Sequence, residues 1–224
     1  MEITEYFKHN NIFPIDLNDV SQIHLGISKI RNNEHYYPLH FQEGLDEEME
    51  CIDFKLNELL FYAVLSEIKK QNFQNILEPG YQSGIFGCYI ASNIDGVYKG
   101  LDKNPIAIEK ARQRAEHNGL DPDIFELGNV YDYNQQHEAI IGRYFVNGDY
   151  MHPNKRMIDK LVSLTDNLLV ILSFNYNHVD ITKKQYEREL DSHDFSCEFI
   201  SEAIPSEVTG HYSIAMKATR LKKS

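Results

Sequence analysis

The sequence is poor in cysteine, in basic charge and in long apolar runs. Its three cysteines, Cys51, Cys88 and Cys197, are an odd number at wide spacings, with no CxxC and no Cys/His cluster. They support neither a disulfide framework nor a structural zinc site, and they suit a reducing cytoplasm. Lys and Arg number 22 against 34 Asp and Glu, for a formal net charge of −12. Such a field repels polyphosphates, so nucleic acid is a disfavoured partner. No apolar run approaches the roughly 18 residues that a membrane span needs, and the first eleven residues are polar and acidic rather than a basic-then-apolar leader. Neither a membrane partner nor export is expected. With only 12 Gly and 7 Pro there is no low-complexity linker or fibrous repeat.

What is present is a chain of 224 residues, 42% apolar and 25% charged, enough for one substantial core. Residues 1–46 read as an appendage and 47–224 as the main domain. Ile52, Leu56, Leu59, Leu60, Ala63, Val64 and Ile68 recur at helical spacing, behind Asp46, Glu47 and Glu48 and ahead of Lys69 and Lys70. That charge order suits the helix dipole, and a helix is expected over residues 47–70. From about residue 74 short β-rich runs alternate with helical ones. Strands are expected over 75–77, 97–101, 124–127, 139–146 and 167–174, with helices over 85–94, 155–164 and 182–191 and one that Asn104-Pro105 opens and Asn118-Gly119 stops. The last two strands, 197–203 and 212–218, are joined too closely for a crossover, so they pair antiparallel. The expected fold is α/β: a Rossmann-like three-layer sandwich on a mostly parallel seven-stranded sheet, ending in an antiparallel hairpin.

Residues 75–84 place Glu78, Gly80 and Gly84 where the first strand meets the first helix, at the sheet edge where open α/β folds bind ligands. Glycines there permit a sharp turn and a close backbone approach. Asp102 follows Gly80 by 22 residues, the length of one βαβ return, and a carboxylate at that strand end can accept both ribose hydroxyl protons. Nicotinamide enzymes share this plan. Their turn wants GxGxxG and a pyrophosphate, whereas here an acidic residue leads, which suits an amino group and opposes a pyrophosphate.

At these residues the chain resembles the class I, Rossmann-like S-adenosylmethionine-dependent methyltransferases, over roughly residues 47–220. Glu78 to Gly84 looks like their first motif, Leu101-Asp102 like their ribose-binding strand, and Gly128-Asn129-Val130 like their adenine-contacting segment. The resemblance implies S-adenosylmethionine as cofactor, held by Glu78, Gly80, Tyr81, Gly84, Asp102, Lys103, Asn129, Val130 and Arg143. Two positions depart from the pattern: Gln82 replaces the middle glycine and Asn129 the usual aspartate. Gln82 narrows the expected methionine end, and the Asn129 side-chain oxygen still suits an adenine amino group.

In the family the fourth strand end faces the methionine moiety and the acceptor, so the resemblance nominates Arg143, Tyr144 and Asp149 there. Arg143 suits an acceptor carboxylate or phosphate, or equally an acidic partner within the protein. The sequence reads Asn147-Gly148-Asp149-Tyr150 where many amino-group methyltransferases have Asn-Pro-Pro-Tyr. Where the acceptor needs a base, His152 is the first candidate and His40 the second, with Tyr144 also a catalytic candidate. Tyr36, Tyr37 and Phe41 either wall the acceptor site as part of a lid or pin the N-terminal segment to the sheet. The expected reaction is methyl transfer to oxygen or nitrogen of a small-molecule acceptor, without a metal. A protein or peptide methyltransferase, a non-catalytic cofactor-binding subunit and a nicotinamide oxidoreductase are the alternatives.

Overall fold

The computed structural model describes residues 58–143, 147–149, 152–175, 179–205 and 211–222. The expected appendage of residues 1–46 and the first part of the predicted helix lie outside the described residues. Helix α1 spans Glu58–Gln71. Its buried stripe of Leu60, Phe61, Val64, Leu65 and Ile68 follows the helical period. Asn72 ends it at φ 56°, while the Phe73 amide donates to the Ile68 carbonyl and the Asn72 amide to that of Lys69. That is a left-handed stop with asparagine in the usual glycine place.

The strands are β1 Asn75–Pro79, β2 Val97–Asp102, β3 Phe125–Leu127, β4 Ala139–Arg143, β5 Asn147–Asp149, β6 His152–Pro153, β7 Asn167–Asn175, β8 Phe195–Phe199, β9 Ile204–Pro205 and β10 His211–Arg220. The remaining helices are α2 Ile85–Ala91, α3 Pro105–His117, α4 Lys155–Val162 and α5 Val179–Asp191. The main sheet has the order β3-β2-β1-β4-β7-β10-β8, with β9 beside β10. β1 pairs parallel to β4, β4 to β7 and β2 to β3, whereas β10 runs antiparallel to β7, β8 and β9. This is the expected mixed sheet, mostly parallel, with an antiparallel C-terminal hairpin. Every residue of β4 is buried, as parallel strands covered on both faces require.

Compactness divides the chain into one unit holding Gly80–Asn129 and a second holding Asn57–Pro79 and Val130–Ser224. In the first, the Asn104 side chain accepts the Ile106 amide at 3.0 Å and Pro105 opens α3, so the expected cap forms. Gly119, at φ 69°, stops that helix. In the second, β10 inserts between β7 and β8, with Ile214 opposite Leu172 and Met216 opposite Phe199. Lys217 on β10 bonds Glu67 of α1 at 2.8 Å.

Of the expected fourth strand, Ala139–Arg143 is described as β4, residues 144–146 lie outside the described residues, and β5 pairs antiparallel with β6 in a separate two-stranded ladder. No helix among the described residues is long and apolar enough to cross a membrane.

Candidate functional site

The first unit brings the glycine turn and the β2 carboxylate together. The Gly80 amide donates to the Leu101 carbonyl at 2.8 Å, and the Gly84 amide closes a turn on the Tyr81 carbonyl at 3.1 Å. Gly80, Gln82 and Gly84 have φ of 69°, 56° and 75°, so the loop is built from left-handed residues. A Cβ on Gly84 would lie 2.8 Å from the Ala111 Cβ and 2.9 Å from the Phe125 ring, so both conformation and packing demand glycine there. Gln82 pays for its conformation with a bond, its amide donating to Asp102 Oδ2 at 3.2 Å.

Asp102 is nearly buried, and its other oxygen, Oδ1, accepts the Asn104 amide at 2.9 Å. Burial raises its pKa above the ordinary carboxylate value, against the pull of the Asn104, Gln82 and Lys103 amides and the Lys103 charge. Its backbone carbonyl accepts the Gly128 amide at 2.8 Å, fixing the start of the Gly128-Asn129 segment. Asn129 and Lys103 are exposed. The Tyr81 ring is fully buried, 4.6 Å from Phe125 between centroids, so its visible work is packing behind the loop.

Arg114 is the residue that sequence reasoning missed. Its Nε donates to the Ser83 carbonyl at 3.2 Å, anchoring the loop from α3, and only 8% of the residue is exposed. A signal was available: Arg114 stands on the same helix face as Ala107, Ala111 and Ala115, where a charge interrupts an apolar stripe.

In the second unit, Glu78 of β1 and Arg143 at the end of β4 form a buried ion pair, Nε to Oε1 2.7 Å, with side chains 0% and 5% exposed. The Arg143 guanidinium also stands 5.9 Å from the Phe61 ring centroid. Of the roles the sequence offered Arg143, which were cofactor contact, acceptor contact and acidic pairing, the acidic partner is the one visible here. Val130 is buried and opens a short 3-10 turn, Val130–Asp132. Asp149 and His152 face each other in register across the β5-β6 ladder, and their side chains lie outside the described residues. Tyr144, Tyr36, Tyr37, His40 and Phe41 also lie outside the described residues. An open cleft of about 540 Å³ involves Asn75, His137 and Asn167 at the amino ends of the β1, β4 and β7 region. Those are the strand ends opposite to Glu78 and Arg143.

No family model matches the chain, and no curated protein matches it. Solved structures do. Magnesium protoporphyrin IX methyltransferase from Synechocystis PCC 6803, solved with bound SAM, aligns with 97% of this chain and 91% of its own at 15% identity and a TM-score of 0.59. TYW2 of M. jannaschii, in complex with AdoMet, aligns with 71% of this chain and 77% of its own at 15% identity and a TM-score of 0.51. DhpI, in complex with SAH, aligns with 75% of this chain and 88% of its own at 14% identity and a TM-score of 0.54. The strand order, the antiparallel β10 and these alignments agree: the chain has the class I S-adenosylmethionine-dependent methyltransferase fold.

Proposed function

We propose that the chain is an S-adenosylmethionine-dependent methyltransferase that methylates an oxygen or nitrogen of a small molecule. The observation that carries this reading is the Gln82 amide bond to Asp102 beneath a loop with two left-handed glycines. It leaves the Asp102 carboxylate nearly dry and anchored through backbone amides, with acceptor capacity for a ribose hydroxyl pair. The donor chemistry therefore fits a nucleoside. When bound, S-adenosylmethionine supplies an already activated methyl group, so the protein's task is chiefly to hold and align.

Arg114 keeps the loop in shape through Ser83. Gly80, Tyr81, Gly84, Lys103, Asn129 and Val130 complete the proposed nucleoside contacts. Glu78 keeps its proposed place at the start of the motif, where Arg143 balances its charge. His152, with His40 second and Tyr144 third, is the proposed proton acceptor, and Asp149, Tyr36, Tyr37 and Phe41 the proposed acceptor contacts. The charge of −12 favours a small acceptor over RNA. A basic peptide is the competing acceptor, and the departures at Gln82 and Asn129 favour, as the second alternative, a subunit that binds cofactor without turnover.

Calorimetry with S-adenosylhomocysteine, followed by incubation of a cell extract with methyl-labelled S-adenosylmethionine, tests the reading. The expected result is stoichiometric binding and label in the small-molecule fraction. Label confined to precipitable protein would replace the acceptor class, and binding with no labelled product would leave a regulatory subunit. Absence of binding would end the proposal.

A further inference from the structure

Far along the chain from the glycine loop, in the second unit, three side chains meet whose chemistry methyl transfer does not use. We propose that Asp159, Glu189 and His193 form a binding site for a divalent transition-metal ion of the zinc type. Asp159 lies on α4, Glu189 on the last turn of α5, and His193 two residues past the end of α5. His193 Nε2 stands 2.9 Å from Asp159 Oδ1 and 3.7 Å from Glu189 Oε1. One ligand atom from each residue lies within 4.8 Å of the other two. With metal bonds of about 2.0–2.2 Å, tetrahedral ligands sit roughly 3.3–3.5 Å apart, so the observed spacings bracket what one ion requires.

A second observation concerns the donor nitrogen itself. His193 Nε2 is shut off from solvent, yet despite its short distance to Asp159 it makes no hydrogen bond of normal geometry. The nitrogen lies within ion-pair distance of both carboxylates. The backbone under it is fixed, since the His193 amide donates to the Leu190 carbonyl at 3.0 Å and extends the helix by a turn. The spacing of four residues from Glu189 to His193 then sets both on one side of that turn.

One imidazole nitrogen with two carboxylate oxygens is a borderline donor set. It prefers zinc and its transition-metal neighbours to magnesium or calcium, which favour all-oxygen shells. Competition comes from Lys155, whose Nζ bonds Glu189 Oε1 at 2.8 Å while its side chain is 67% exposed. That ammonium occupies the carboxylate in the ion's absence and can swing into water when the ion arrives. Cysteine is a poor rival nearby: burial, reinforced by Glu187 and Asp191, pushes the Cys197 thiol up to about 12. Sequence spacing hides this site because its ligands come from two helices 30 residues apart.

Calorimetric titration of the chelator-treated full chain with zinc chloride tests the proposal. One equivalent should bind, and the melting temperature should rise by about 5–10 °C at a zinc concentration one hundred times Kd, reversed by EDTA. His193→Gln and Asp159→Asn should each weaken that event at least about tenfold. Lys155→Met should strengthen it, because the resident competitor is gone. A purely structural ion-pair cluster predicts no such gain. If the ligand variants misfold, broadening of the His193 ring resonances by Co²⁺ in the parent chain reads the same contact. No zinc binding, binding unchanged in His193→Gln and Asp159→Asn, no gain in Lys155→Met, or a His193 ring untouched by Co²⁺ would each overturn the site.

Discussion

Asp102 and Glu78 are both buried carboxylates near the carboxyl ends of strands, and the protein treats them in opposite ways. Glu78 is matched by a cation, with Arg143 at 2.7 Å and both side chains out of solvent. Asp102 is held by the amides of Gln82 and Asn104, and burial raises its pKa. A carboxylate neutralised by guanidinium joins β1 to β4 and has little charge left for a ligand. A carboxylate held mainly by backbone amides keeps spare lone pairs. On the proposed function, the difference teaches where recognition sits: the carboxylate whose charge burial disfavours is the one proposed to serve a nucleoside.

The largest effect should come from breaking the neutralised pair. Arg143→Met strands Glu78 in a dry site, and removing one partner of a buried pair costs about 3–5 kcal/mol. For a chain of this size that is a fall of roughly 6–20 °C in melting temperature. The double variant with Glu78→Gln should recover much of it, since the orphaned charge is gone. A melting curve for Arg143→Met that overlays the parent's, with cofactor binding lost instead, would reverse the assignment of the two carboxylates.

Asp102→Ala should do the opposite, leaving the fold nearly intact and damaging binding. Losing a charged hydrogen-bond acceptor costs about 1.5–3 kcal/mol, roughly 10- to 150-fold in S-adenosylhomocysteine affinity. Melting should move little, because the variant also sheds the burial penalty that raises the Asp102 pKa. Calorimetry and a thermal melt on the same sample separate the two quantities. Unchanged affinity would remove Asp102 from the site.

The same contrast marks how far the sequence could be read. Asn104-Pro105 capping, the Gly119 stop and the antiparallel β10 were legible because each rests on local backbone chemistry or on connection length. The meeting of the glycine turn with Asp102 was legible because a βαβ return has a nearly fixed length. The Glu78–Arg143 pair was only one of the open readings, since the partner of a buried charge lies 65 residues away and no periodicity names it. Insertion of β10 between β7 and β8, and the pairing of β5 with β6 in a ladder of their own, depend on pairing partners that a linear pattern does not encode. Arg114 was hidden for a related reason: its bond goes to a carbonyl, which carries no side-chain signature.

Acidification should also report on Asp102. With its folded pKa raised, Asp102 binds its proton at a higher pH in the native chain than in the unfolded one. Its charge therefore costs stability, a cost absent below the unfolded value and complete above the folded one. Binding runs the other way: affinity for S-adenosylhomocysteine is full above the folded pKa and is lost as pH falls through it. The proton-linked loss should vanish in Asp102→Ala. A loss of the same slope in that variant would place the titrating group elsewhere.

The smallest expected effect lies in the loop that serves Asp102. Gln82 sits at φ 56°, a conformation that costs a side-chain-bearing residue roughly 1–2 kcal/mol, and its amide alone makes the bond to Asp102. Gln82→Gly keeps that amide and removes the strain, but adds about 0.5–1 kcal/mol of unfolded-chain entropy. The net should be a gain of roughly 0–1.5 kcal/mol, read as a melting point up to a few degrees higher. Because the donor to Asp102 survives, S-adenosylhomocysteine should bind about as before. A marked gain in affinity would show that the Gln82 side chain narrows the cofactor's path. A marked loss would mean that the side chain, and not just the amide, touches the ligand, and the carboxylate held mainly by backbone amides would then share its work with a residue the family pattern makes glycine.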